Sequence, residues 1–214
     1  MKWQIKFAWK NISEISKVEK VVPVGDEALK ISIRENADIV AVISDAVTIT
    51  ADLVVKYHSA FPNMDFLCGY RKECVWEGQA IDYVEAHSIG WGNAGTLLDA
   101  VHKGSANGLS HKQFSFSYRL VKQLRVYTNL VREFDRVFTV TLKNGRALRV
   151  GMILEYEPTA DVIRSFYDRF GHIDVAWNIN PNSNPTAEAI EAGQSLGCAV
   201  MKWDELREVL RNGI

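Results

Sequence analysis

The chain has 214 residues, with 25 Lys and Arg against 26 Asp and Glu, a formal net charge of -1. That balance supplies no global field toward nucleic acid or an anionic membrane, and it weighs against a non-specific DNA-coating protein. A hydrophobic share of 47% and a charged share of 24% suit one large globular domain or two small ones.

There is no long uncharged apolar run and no leader with a basic start and apolar core, so a cytoplasmic chain with no membrane partner is expected. Cys68, Cys74 and Cys198 lack CxxC spacing and read as reduced thiols.

The first helix is expected from Met1 to about Ser16, with Ile5, Trp9 and Ile12 at inward spacing. Three short strands follow over Val18–Val24, Ala28–Arg34 and Asp38–Ser44, then a helix over Thr50–Ala60 and a strand over Met64–Cys68. After that strand come Gly69, Tyr70, Arg71, Lys72 and Glu73, whose basic pair Arg71 and Lys72 suits phosphate. A second helix, a weak strand and a short helix close the segment.

Within it, Gly90-Trp91-Gly92-Asn93-Ala94-Gly95 spells G-x-G-x-x-G. The strand before it is too short, and Ser115 stands where the ribose-binding acid would be, so it reads as a flexible turn. His102–Leu109 has linker composition, and the domain boundaries are placed at residues 1–104 and 110–214.

The second segment repeats the order. A helix is expected over His111–Arg125, opened by a Ser110/Gln113 capping box and packed through Phe114, Tyr118 and Val121. Strands follow over Val126–Val131, Arg136–Leu142 and Ala147–Glu155, the last two joined at Asn144-Gly145, a strong hairpin signal. Thr159 is placed as the N-cap of a helix to Phe170, with Asp161 suiting its dipole.

The strand Ile173–Trp177 then runs into an Asn/Pro loop. Asn178, Asn180, Asn182 and Asn184 offer donors and acceptors near a helix amino end, a candidate site for a small phosphorylated ligand. Arg119, Lys122, Arg125, Arg132 and Arg136 form a local basic run that could face nucleic acid. The six tryptophans are scattered and read as core or copy-to-copy packing, not as a base-stacking platform.

A constant offset lays Asp26 on Asp135, Thr50-Ala51-Asp52 on Thr159-Ala160-Asp161, Asp65 on Asp174 and Leu97 on Leu206 without a gap. The expected fold is therefore α/β: two repeated α-β-β-β-α-β-α-β units with small mixed sheets in a pseudo-twofold arrangement.

A helix, a three-stranded meander, a helix and a parallel strand resembles the core of the PD-(D/E)XK, or restriction-endonuclease-like, superfamily. The tail from Ile173 through Thr186-Ala187-Glu188-Ala189 to Trp203-Asp204-Glu205-Leu206 resembles the closing elements of restriction enzymes in that group. The resemblance implies a protein acting on or binding nucleic acid, with Mg²⁺ as a possible cofactor for phosphodiester hydrolysis. It places Asp135 and Glu155 as metal ligands and Glu157 as a ligand or water-orienting base, where the family carries lysine.

A two-residue Asn-Gly turn would pair Asp135 with Leu154, on the face opposite Glu155, so a β-bulge or a strand twist is needed to unite the acids. The first copy has Asp26 and Asp45 but then Val47, and is expected to be structural. The alternative is a non-catalytic tandem module that binds a protein partner or the phosphorylated ligand. A homo-oligomer is compatible with either reading.

Overall fold

The computed structural model describes residues Met1–Asn212, which form two compact units, Met1–Lys112 and a second that begins at Gln113. In the first, α1 (Trp3–Ser13) precedes a meander of β1 (Val18–Val24), β2 (Ala28–Ile33) and β3 (Ile39–Ser44). Then come β4 (Thr48–Ile49), α2 (Ala51–Ala60), β5 (Phe66–Gly69), β6 (Val75–Trp76), α3 (Gly78–Ala86), β7 (Gly90–Gly92) and α4 (Ala94–Lys103). The main sheet has the order β1-β2-β3-β5-β7: the meander is antiparallel, and β5 and β7 join parallel to β3. The two-residue ribbon β4-β6, absent from the sequence expectation, is a separate parallel pair.

Alternation along the strands divides the apolar side chains between two layers. Leu29, Ile31, Ala41, Ile43, Phe66 and Cys68 pack with Ile5, Ala8 and Ile12 of α1 and Leu97, Ala100 and Val101 of α4. Ala28, Val42 and Leu67 face Val54 and Tyr57 of α2 and Ala80, Ile81 and Val84 of α3. The strands that carry these residues are therefore covered on both faces, which accounts for their continuous apolar runs.

The second unit contains α5 (Lys112–Leu124), β8 (Tyr127–Phe134), β9 (Val137–Leu142), β10 (Ala147–Ile153), α6 (Ala160–Phe170), β11 (Val175–Asn178), α7 (Ala187–Ser195), β12 (Ala199–Met201) and α8 (Trp203–Asn212). Its sheet runs β8-β9-β10-β11-β12, with α5 and α8 on one face and α6 and α7 on the other.

The two units share register as well as order. Leu29 pairs with Ala41 as Phe138 pairs with Val150, and Ala41 with Phe66 as Val150 with Val175. Phe66 pairs with Gly90 as Val175 pairs with Ala199. Even the bulge between Val18 and Lys20 recurs between Tyr127 and Asn129. The departure is at the first turn, where Val24 pairs with Ala28 but Phe134, not Glu133, pairs with Val137.

The segment assigned to a linker packs onto the first unit. Trp91 donates its backbone N–H to the Leu109 carbonyl at 2.9 Å, so the division falls at Lys112/Gln113 rather than between 104 and 110. Among the described residues no helix is long and apolar enough to cross a membrane.

Candidate functional site

The β9–β10 hairpin closes through three residues, Lys143, Asn144 and Gly145, not two. Gly145 N–H bonds the Leu142 carbonyl at 2.9 Å, and Leu142 N–H bonds the Arg146 carbonyl at 2.8 Å. Gly145 takes φ +87°, a left-handed conformation that glycine adopts without a Cβ penalty. The extra residue moves the register by one: Val137 faces Gly151, and Met152 N–H bonds the Arg136 carbonyl at 2.7 Å. Continued past its last pair, that register would set position 135 opposite Ile153, on the side Glu155 would share, but Asp135 itself lies in the turn between β8 and β9.

The strand does not continue, because β10 ends at Ile153. Glu155, Tyr156 and Glu157 lie beyond it in an exposed irregular segment. Asp135 is 3% exposed, and Arg136 grips it with Nε to Oδ1 and Nη2 to Oδ2, both at 2.9 Å. The Arg136 guanidinium in turn lies 4.9 Å from the Phe114 ring centroid.

Mg²⁺ needs carboxylate oxygens open to an octahedral shell. Both oxygens of Asp135 are engaged by Arg136. Among the described residues, no three His, Cys, Asp or Glu side chains gather into a metal-holding group, so Asp135, Glu155 and Glu157 are not brought together. These residues do not fit the metal, and no hydrolytic step follows from them. Packing also occupies part of the second unit's basic run. Arg132 and Lys122 lie 4.0 and 5.1 Å from the Tyr118 ring centroid.

The Asn loop is largely satisfied from within. Asn178 Oδ1 accepts from Asn180 N–H at 3.0 Å, and Asn180 Oδ1 from Asn182 N–H at 3.1 Å, successive Asx turns. Lys202 Nζ donates to the carbonyls of Pro181 and Ser183, pinning the loop. Asn182 and Asn184 are exposed, while Asn178 Nδ2 and Ser183 Oγ are buried with no hydrogen-bond partner. At the start of α7, hydrogen bonds from its own backbone N–H and from Thr186 hold the Glu188 carboxyl below its usual pKa. The anion position at that helix end is therefore already served by a residue of the chain.

In G-x-G-x-x-G, Gly90 lies within β7, and Asn93 caps α4 by accepting Thr96 N–H at 3.0 Å. A Cβ at Gly90 would run into the Ala106 carbonyl and the Phe66 ring. Close packing requires the glycine, and the stretch read as a flexible turn is instead the buried strand β7 running into the capped start of α4.

A different constellation sits at the carboxyl ends of β3 and β5 in the first unit, where the parallel part of the mixed sheet ends and where ligands commonly bind in open α/β sheets. Lys2, just before α1, bonds Glu27 at 2.7 Å. That hydrogen bond, against a smaller opposing effect of burial, raises the Lys2 pKa, helped by the charges of Glu27 and Asp45. Ser44 Oγ accepts from Tyr57 OH at 3.1 Å and from Ala46 N–H at 3.2 Å. Burial raises the Tyr57 phenol pKa, although the bond to Ser44 opposes the shift. Gln4, 1% exposed, donates to the Ile43 carbonyl at 3.5 Å and leaves Oε1 buried without a partner.

Arg71 Nε donates to the Asp45 carbonyl, and its guanidinium lies 5.9 Å from the Trp3 ring centroid. Trp3 makes edge contacts with Tyr70 at 5.8 Å and Phe7 at 6.3 Å. Lys72 is exposed beside Arg71. The structure thus places Arg71 and Lys72 on a cationic–aromatic surface in the unit expected to be merely structural.

Two tryptophan assignments change accordingly. Trp91, Trp177 and Trp76 are buried as expected, but Trp3 is 45% and Trp9 41% exposed. The inward face of α1 is Gln4, Ile5, Ala8 and Ile12, and Trp9 instead donates Nε1–H to the Val21 carbonyl at 3.1 Å. A signal was present in the sequence: Lys2, Lys6 and Lys10 recur at i, i+4 and i+8 beside Trp3 and Phe7 at i and i+4.

Comparison with family models, with characterised proteins and with solved structures finds no match to this chain.

Proposed function

We propose that the chain is a tandem of two copies of one restriction-endonuclease-like unit, and that it binds nucleic acid through the first copy. The shared register supports the duplication. The observation that carries the binding reading is the outward face of α1. Lys6, Lys10, Trp3 and Phe7 are all exposed there, and α1 has no acidic residue from end to end. Arg71 and Lys72 extend that surface at the end of β5.

Near-zero net charge does not oppose this, because phosphate recognition needs only a local stripe within a Debye length of the backbone. The hairpin of the second copy acts as scaffold in this reading, and the chain binds without hydrolysing.

Fluorescence anisotropy with labelled DNA and RNA oligonucleotides across a salt series tests the proposal. Log affinity should fall linearly with log salt, and replacing Lys6 and Lys10 with Ala should reduce the slope by about 0.7–0.9 per lost phosphate contact. Absence of salt-dependent binding to any oligonucleotide would refute it. Mg²⁺- or Mn²⁺-dependent cleavage lost in Glu155→Gln would restore the hairpin as the functional centre.

A further inference from the structure

We infer that the outward face of α1 is a track for single-stranded nucleic acid, a reading that rests on the proposed nucleic-acid binding and narrows its substrate. A lysine row alone attracts any polyanion, so Lys6 and Lys10 serve duplex and single strand alike. Exposed aromatic faces add something a duplex cannot use, because paired bases hide their faces in the stack. Unpaired bases can lie on the rings, with a gain that tolerates any sequence.

Phe7, Trp3 and Tyr70 form a continuous run, with centroid distances of 6.3 and 5.8 Å, from the middle of α1 to the carboxyl end of β5. Trp3 is 45% and Phe7 54% exposed, too open to be held for core packing. Arg71 closes the run with its guanidinium on Trp3, placing a cation where a backbone phosphate would follow a stacked base.

A lipid surface is the competing occupant for exposed aromatics and lysines, but the geometry disfavours it. An interfacial helix turns its apolar face outward to the acyl boundary. Here Ile5, Ala8 and Ile12 are turned into the sheet, and the outward face interleaves lysines with two rings.

The experiment compares a labelled mixed-sequence single-stranded DNA oligonucleotide with its duplex by anisotropy, in EDTA, using the full chain and the variants Trp3→Ala, Phe7→Ala and Lys6→Ala/Lys10→Ala. Circular dichroism melts establish that each variant is folded, and the two separate aromatic variants guard against failure of one. Trp3→Ala or Phe7→Ala should weaken single-strand binding about tenfold and leave duplex binding within about twofold. The double-lysine variant should weaken both forms together. If the aromatic variants bind single strands like the parent while the lysine variant loses both forms, the track is wrong and the broader nucleic-acid reading stands. If neither form binds the parent chain, both fall. Binding to phosphatidylserine vesicles that is lost in Trp3→Ala, with no single-strand binding, would overturn the inference in favour of a membrane surface.

Discussion

Arg136 holds the neighbouring Asp135 through two hydrogen bonds of 2.9 Å, and Asp135 is almost wholly withdrawn from solvent. The carboxylate that the restriction-endonuclease resemblance implied as a metal ligand is thereby part of a buried ion pair at the tip of the β8–β9 turn. Removing one partner of such a pair is far costlier than the net worth of the pair, because the other charge stays buried. Arg136→Met should therefore destabilise the second unit by about 3–5 kcal/mol. Replacing both residues, Asp135→Asn with Arg136→Met, should recover part of that loss. Urea unfolding of the two variants checks the order.

Asp65 and Asp174 occupy equivalent positions and do the same work. Asp65 Oδ2 accepts Val40 N–H at 2.8 Å, and Asp174 Oδ2 accepts Arg149 N–H at 2.7 Å. Each carboxylate satisfies a backbone donor where the last antiparallel strand meets the first parallel one. Asp65→Ala and Asp174→Ala should each cost about 1.5–3 kcal/mol, the usual worth of a hydrogen bond to a charged group. Similar shifts in urea midpoint would show that the matching geometry carries matching energetics; a large cost in one unit alone would not.

Glu133 supplies an acid-sensitive contact. Burial pushes its carboxyl up, but hydrogen bonds from Arg149 and Thr139, with the Arg149 charge, outweigh burial and hold it below its usual value of 4.5. A depressed folded-state pKa means the unfolded chain takes up the proton first. The contribution is present in full above about pH 4.5 and is lost as pH falls toward the lower folded value. Urea midpoints measured from pH 6 to pH 3 should fall less steeply for Glu133→Gln than for the parent chain.

Gly90 is constrained by its neighbours. An added Cβ would lie 2.7 Å from the edge of the Phe66 ring and closer still to the Ala106 carbonyl, which is backbone and cannot rotate away. Gly90→Ala should cost about 1–3 kcal/mol through overpacking. Thermal unfolding measures the loss. Nucleotide ligands should restore none of it, since the glycine serves the packing of 106 against β7 and not a phosphate.

The succession of helices and strands was legible because periodicity and turn residues act locally. Alternation in Leu29-Lys30-Ile31 and the Asn144-Gly145 turn each depend on a few neighbouring residues, whereas Thr159, placed as an N-cap, begins its helix without a side-chain cap bond. One offset also aligns Asp26 with Asp135 and Asp65 with Asp174, and the two units share strand order and pairing register along it. Tertiary structure alone decided how the candidate residues are arranged. Whether the hairpin turn uses two residues or three shifts every cross-strand partner by one, and the letters Asn-Gly are compatible with both. That Asp135 spends its oxygens on Arg136 depends on how the adjacent turn folds against Phe114. Whether Trp3 or Trp9 turns inward depends on the angle at which α1 meets the sheet. Helical spacing names the members of a face, but the long-range packing of Ile5, Ala8 and Ile12 against the sheet chooses which face is buried.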